Sequence, residues 1–137
     1  DLSPQPPPQG GGDLHHRKLW LAIGFGLVAL VIYLSLTPKP IDAGSVGEVK
    51  VGHFIAYGVL MLWFAQLYGS FRARLALFAA FVLLGVGLEF AQSLTTYRSF
   101  SPSDMLDNAI GALTGFALAG TPLGSALTRI ERLIRAG

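Results

Sequence analysis

The residues able to do chemistry in this sequence are few, and they stand at helical spacing. Lys50, His53 and Tyr57 lie at i, i+3 and i+7, which places them on one helix face. Glu89 and Gln92 share a face at i and i+3. Histidine and a buried carboxylate are suited to proton transfer, and lysine to binding a phosphate. We favour a protein that is not an enzyme; if it is one, His53 and Glu89 are the catalytic candidates.

A second polar group lies at the start of a later apolar segment. Asp104 and Asn108 share a helix face with Gly111 and Gly115, at i, i+4, i+7 and i+11. Small residues four positions apart let a neighbouring helix approach closely, so the two glycines predict helix packing. Arg98 in the preceding loop is suited to hold a lipid phosphate together with the lysine of the first group.

These side chains have an alternative role, which is to hold helices together. An ionisable group deep in a membrane costs about 3 kcal/mol, so it faces inward and pairs with another group. In that reading Glu89 is a structural carboxyl that is hydrogen-bonded to Gln92 or held by Arg98. His53 is then a hydrogen-bonding anchor at the start of a helix. The sequence leaves both readings open.

Other classes of site find little support. The chain has no cysteine, which removes disulfides, thiolate metal sites and cysteine nucleophiles. Metal binding by His53, Glu89 and Asp104 agrees with ligand chemistry, but their mutual distances do not follow from the sequence. The sequence contains no P-loop, no dinucleotide-binding fingerprint and no basic patch interleaved with aromatics. We therefore expect no cofactor, no bound metal and no nucleic-acid partner.

The elements that carry the polar residues are predicted to be membrane helices. Of the 137 residues, 52% are hydrophobic and 13% are charged, whereas a soluble domain has about 25% charged residues. The mean hydropathy is +0.54. A membrane span needs about 20 apolar residues. Four segments qualify, at about 18–36, 51–69, 73–94 and 105–124. The predicted fold is therefore all-α, an integral membrane four-helix bundle.

The segments around the four spans have a different composition. Residues 1–16 form a Pro/Gly-rich tail without intrinsic fold, and residues 17–124 form the membrane domain. Ser103 or Asp104 is the predicted N-cap of the fourth span. Residues 125–137 are basic and amphipathic, and either lie on an anionic membrane face or extend the fourth span. Their apolar stripe, which begins just before this segment, consists of Leu123, Leu127, Ile130 and Ile134.

The orientation of the bundle is predicted from its lysines and arginines, which favour the cytoplasmic side. Seven lie on the side of the termini: Arg17, Lys18, Arg72, Arg74, Arg129, Arg132 and Arg135. Three lie on the other side: Lys39, Lys50 and Arg98. Both termini are therefore expected in the cytoplasm, and the 37–50 and 95–104 loops outside. This arrangement brings His53, Glu89 and Asn108 to one depth beneath the outer surface.

The same polar residues resemble the signatures of the VanZ-like family of small polytopic bacterial membrane proteins. Three runs carry the resemblance: Lys50-x-x-His53-Phe54-x-x-Tyr57-x-x-Leu60, Glu89-Phe90-Ala91-Gln92, and Arg98-x5-Asp104-x3-Asn108-x2-Gly111-x3-Gly115. The similarity covers roughly residues 19–120. One departure is Val49, which stands where members often have an acidic residue, with Glu48 one position earlier.

The resemblance implies an architecture and a candidate site, but no reaction. It places the protein in the bacterial plasma membrane. We expect a non-enzymatic accessory or structural subunit docked on a larger membrane complex, contacted in part by the N-terminal tail and surrounded by membrane lipids. The alternative is binding or modification of an envelope lipid or lipid-linked precursor at the outer leaflet. That alternative agrees with the association of the family's founding member with low-level teicoplanin resistance.

Overall fold

The computed structural model describes residues 14–37, 44–46, 49–97 and 101–136. Within them the chain is helical, apart from a short antiparallel pairing of β1 (Ser45–Val46) with β2 (Val49–Lys50). The helices are α1 (Arg17–Leu36), α2 (Val51–Leu67), α3 (Phe71–Ser93), α4 (Pro102–Ala119) and α5 (Ala126–Ala136). A 3₁₀ turn, Pro122–Ser125, connects α4 to α5. The predicted all-α fold is confirmed.

Among the described residues, two helices are long and apolar enough to cross a membrane alone. These are α1 with 20 residues and α3 with 23. The segments Pro102–Ala119 and Pro122–Ala136 pass the same test together, but they are bent by 78°. Helix α2 is apolar with 17 residues, at the lower limit of about 17 for a span. Length and composition thus support two or three spans where the sequence predicted four.

The start of α4 differs from the prediction. Ser101 is the N-cap, and its side chain accepts a hydrogen bond from the amide of Asp104. The prediction of Ser103 or Asp104 as N-cap is wrong because Pro102 fits the first helical turn, where its missing N–H and fixed φ cost nothing. The helix ends at Ala119 rather than near residue 124, and Pro122 opens the 3₁₀ turn instead.

Helix α2 forms the centre of the bundle and packs most closely on α4. Two glycines of α4 make this approach possible. A methyl group at Gly111 would collide with the carbonyl oxygen of Phe54, and one at Gly115 would lie 2.5 Å from that of Gly58. The small side chains therefore bring the two backbones into contact, as close helix packing in membranes requires.

One end of the bundle, the terminal end, carries the starts of α1 and α3, the ends of α2 and α4, and α5. Arg74 in the first turn of α3 binds helix-terminal carbonyl groups there, at 2.8–3.2 Å. Its guanidinium donates to the carbonyls of Ala65, Tyr68, Ala119 and Gly124. Because the last carbonyls of a helix have no partner within it, Arg74 satisfies the ends of α2 and α4 together.

Glu131 of α5 fixes the beginning of α1. Its carboxylate accepts the backbone N–H of His15 at 2.7 Å, that of His16 at 3.0 Å and the indole N–H of Trp20 at 2.7 Å. Leu14 is buried beside them. Residues 14–16 of the predicted tail are therefore held against the bundle, and residues 1–13 lie outside the described residues. The two ends of the described chain meet at one end of the bundle, which the predicted orientation requires.

Helix α5 is a separate element and not a continuation of α4. Leu127 and Glu131 face the bundle and are buried. Ile130 and Ile134 of the predicted stripe stay exposed, at 45% and 66%. A helix that binds the bundle by one edge and exposes an apolar edge beside arginines suits a membrane interface.

Candidate functional site

The polar residues predicted to meet do so at the other end of the bundle, the loop end. It is formed by the ends of α1 and α3 and the starts of α2 and α4. The residues gathered there, the loop-end cluster, are Lys50, His53, Glu89, Asp104, Asp107 and Asn108. Only the lysine and the histidine reach the surface appreciably; the carboxylates and the asparagine are buried.

An ion pair joins α2 to α4. The Lys50 ammonium lies 2.8 Å and 3.1 Å from the two carboxylate oxygens of Asp104. Asp104 is in the first helical turn of α4, where the helix dipole stabilises a negative charge. The backbone N–H of Lys50 also donates to Asp107 at 3.1 Å. The lysine is therefore bound to α4 through both its main chain and its side chain.

His53 lies between two oxygen acceptors of α4. Its Nδ1 is 2.8 Å from Oδ1 of Asn108, and its Nε2 is 3.6 Å from Oδ2 of Asp104. A ring with its proton on Nδ1 donates to Asn108, and a protonated ring also forms an ion pair with Asp104. The His53 side chain is 24% exposed. The two contacts fix the orientation of the ring. A fixed orientation suits a structural anchor and a proton-transferring group equally well.

Glu89 joins α3 to the start of α4. It is 2% exposed, and its Oε1 accepts the backbone N–H of Ser101 at 2.5 Å. Gln92, one of its predicted partners, donates instead to the carbonyl of Ser35 at 2.5 Å, which ties α3 to the end of α1. Arg98, the other predicted partner, lies outside the described residues. The sequence identified the buried carboxyl but not the main-chain amide that it binds.

Tyr57 lies one turn deeper than His53 and is the inner limit of the site. It is 2% exposed, and within the described residues its hydroxyl has no hydrogen-bond partner. A buried hydroxyl without a partner costs about 1–3 kcal/mol, so this group is either a tolerated defect of packing or a place for a further polar atom.

The charge balance of the cluster limits its ligands. Three carboxylates face one lysine and one histidine, and Lys50 is already paired with Asp104. Binding a phosphate there would require Lys50 to leave that carboxylate. No three of the histidines and acids in the described part of the chain are arranged to hold a metal ion. Glu89 binds the Ser101 amide, and His53 lies 3.6 Å from Asp104.

Two residues of the site were missed by the sequence reasoning. Asp107 was not predicted, although it stands at i+3 from Asp104 and therefore on the same helix face as Asp104 and Asn108. Ser101 was overlooked as a cap. The signal for it was present, since serine followed by proline is typical of an N-cap and the first helical position.

Two comparisons with known proteins found similar sequences. The family profile described as VanZ/LLP1 matches residues 14–123, a range that contains the whole loop-end cluster. An uncharacterized protein of Schizosaccharomyces pombe is 34% identical over 99 residues, which cover 69% of this chain and 59% of that protein. The chain thus spans less than two thirds of that relative's length. No solved structure matches it significantly. On the extent of the family match, the chain belongs to the VanZ/LLP1 family.

Proposed function

We propose that this VanZ/LLP1 membrane protein is a non-enzymatic structural subunit that docks on a larger membrane complex. The observation that carries the proposal is the state of the loop-end cluster. Its lysine is paired with Asp104, its histidine is bonded to Asn108, and Glu89 is buried against the Ser101 amide. A catalytic acid or base must reach the proton that it transfers. Here each of these groups is bonded within the bundle, and the bonds join α2 and α3 to the start of α4.

The docking surface is the outward face of α1. In the most apolar stretch of 18 residues in α1, only 6% of the residues are buried inside the protein. Ala22 and Gly26 lie four residues apart on that face, both exposed. A methyl group added at Gly26 would meet no other atom within 4 Å. Because small residues at this spacing let a second membrane helix approach closely, the occupant that fits is a transmembrane helix of a partner subunit.

Location and orientation belong to the same proposal. We place the protein in the bacterial plasma membrane with both termini in the cytoplasm. The support is the basic character of the terminal end, where the exposed cations of α1, α3 and α5 gather, and the positive-inside preference of membrane proteins. The yeast relative shows that similar sequences also occur in a eukaryote. Residues 1–13, the rest of the Pro/Gly-rich tail, are proposed to contact the partner on the cytoplasmic side.

A matched pair of glycine variants tests the docking face. Gly26→Leu fills the open space on α1, and Gly87→Leu does the same on α3, where an added methyl group likewise meets no atom within 4 Å. Neither change disturbs packing inside the chain, and both remove an unfavourable helical glycine. We expect the wild-type chain and Gly87→Leu to migrate in a complex on native gels of solubilised membranes, and Gly26→Leu as a monomer. A wild-type chain that purifies as a stable lone monomer overturns the proposal.

A second candidate function rests on the exposed rim of the cluster. Half of the Lys50 side chain and a quarter of the His53 ring are accessible above the buried acids. An envelope lipid or lipid-linked precursor in the outer leaflet would meet these two groups first, which is the setting that a role in glycopeptide (teicoplanin) resistance requires. His53→Ala and Glu89→Gln separate the two functions. If the second is right, both variants lose precursor binding and resistance while the chain stays folded.

A further inference from the structure

A groove on the side of the bundle is not filled by the protein's own side chains. It runs between α1 and α3 over Phe64 of α2, with a volume of about 570 Å³. Phe25 forms the α1 wall. On α3, several of the lining residues are alanines, including Ala76 and Ala80. Their short side chains leave the space between the two helices open. The lining is almost entirely apolar and the groove is open along its side. In a membrane an open apolar groove contains part of a lipid or of another protein.

The length of the groove distinguishes between these occupants. It extends along α3 from Ala73 to Leu84. At about 1.5 Å per residue this is about 16 Å, close to half of the roughly 30 Å hydrocarbon core. The groove therefore spans one leaflet, the one at the terminal end. A partner helix would cross both leaflets, whereas a single acyl chain ends near the bilayer centre.

One end of the groove, the mouth, lies at the basic terminal end of the bundle. Tyr68 lines it there, and the Arg17 guanidinium lies 4.7 Å from the centroid of the Tyr68 ring. Lys18 and Arg72 stand in the first turns of α1 and α3, and both are exposed. Their side chains form no ion pair or hydrogen bond with other described residues. Glu131 is the acid that the structure describes at this end. It is buried, and its carboxylate accepts three N–H hydrogen bonds.

From the length, the lining and the charge together, we propose that the groove binds one acyl chain of an anionic glycerophospholipid. The phosphate lies at the mouth, where Arg17, Lys18 and Arg72 supply positive charge. Basic residues next to the hydrocarbon core favour anionic lipids over zwitterionic ones. This site is distinct from the loop-end cluster and from the outward face of α1.

Photolabelling with lipid probes tests the proposal. The full chain is placed in phosphatidylcholine vesicles that contain a trace of either phosphatidylglycerol or phosphatidylcholine with a diazirine at mid-chain. Labelled peptides are then located by mass spectrometry. We expect the phosphatidylglycerol probe to label the groove walls around Phe25 and Ala80 more strongly than the phosphatidylcholine probe. Replacing either Lys18 or Arg72 with alanine reduces that labelling about fivefold. Arg132→Ala, which removes an exposed cation on α5, leaves it unchanged.

A second pair of variants tests the groove itself. Ala80→Phe fills it, whereas Ala79→Phe places the same ring on a neighbouring exposed position outside the groove. We expect Ala80→Phe to abolish labelling and Ala79→Phe to preserve it. Equal labelling by the two lipids, or labelling that survives Ala80→Phe in a folded protein, would each overturn the proposal. Because the vesicles contain no partner subunit, such a failure leaves the proposed docking function intact.

Discussion

Glu89 accepts the backbone N–H of Ser101 at 2.5 Å, and this one hydrogen bond connects the last turns of α3 to the cap of α4. The N–H belongs to the residue whose own side chain caps the helix. A carboxylate buried at this point therefore sets the position of α4 relative to α3. Through α4 it also sets the positions of the other acids of the loop-end cluster.

Two substitutions of Glu89 separate a structural role from a chemical one. Glu89→Gln keeps an oxygen that accepts the Ser101 N–H, whereas Glu89→Leu leaves that N–H unpaired. An unsatisfied buried donor costs about 1–3 kcal/mol. We expect Glu89→Leu to lower the thermal unfolding midpoint in detergent by several degrees and Glu89→Gln to lower it much less. Equal losses in the two variants would contradict the structural role and indicate that the charge itself matters.

The pH dependence of the terminal end follows from Glu131. Burial raises the pKa of this carboxyl, but the hydrogen bonds from Trp20, His16 and His15 outweigh burial, and the net pKa lies below its usual value. A lowered pKa in the folded state means that the carboxylate contributes its full stability above the ordinary value of about 4.3. This contribution is lost as pH falls through the lowered folded value. We expect α5 to stay bound at neutral pH and to loosen only in strong acid.

Trp20 reports on this transition because its indole N–H donates to Glu131 at 2.7 Å. Its fluorescence, together with amide exchange in α5, should change below about pH 4. Glu131→Gln supplies one carbonyl oxygen for three donors, so α5 is expected to be loosened at every pH and to show no acid step. An unchanged acid step in Glu131→Gln would assign the transition to another group.

Arg74 supports a prediction with a neighbouring control. Its guanidinium donates to carbonyls at the ends of α2 and α4, among them Ala65 and Ala119. Arg74→Lys cannot reproduce this geometry, because an ammonium is a compact donor and not a planar fork. Each carbonyl left without a donor costs about 1–3 kcal/mol. We expect faster amide exchange at the end of α4 and a lower unfolding midpoint, whereas Arg72→Lys, at an exposed position, changes neither. Similar effects of the two substitutions would contradict the role of Arg74 as the donor to these carbonyls.

The sequence could predict the elements and the meeting point of the polar groups, but not their partners. Apolar length predicted a first span that ends at about residue 36, and α1 ends at Leu36. Helical spacing and the basic residues indicated that His53 and Asn108 lie at one depth, and the structure bonds them. Helical spacing on one element does not reveal which backbone group of another helix lies opposite. For that reason the structural reading of Glu89 paired it with a side chain, Gln92 or Arg98, and not with a main-chain N–H.

The same limit explains why the contacts at the terminal end were not predicted. Arg74 was counted only as a positive charge near a turn, and Glu131 was not singled out. Their partners are helix-end carbonyls and amides up to 116 residues away in sequence. The hydrophobic periodicity of a sequence carries no information about contacts between residues so far apart in the chain. A polar residue in the first turn of an apolar helix, or an acid on an otherwise basic helix, is the only sign that the sequence offers.

Tyr57 gives the most direct test of whether the site has a ligand. Its hydroxyl is buried and has no hydrogen-bond partner among the described residues. Tyr57→Phe removes the unsatisfied group and keeps the ring that fills the core, so the proposed structural role predicts an unfolding midpoint that is unchanged or raised. The native-gel complex should also persist. Loss of a cell-envelope phenotype in a Tyr57→Phe protein that keeps its stability and its complex would show that the hydroxyl binds a ligand, and the lipid-precursor function would then be favoured over docking.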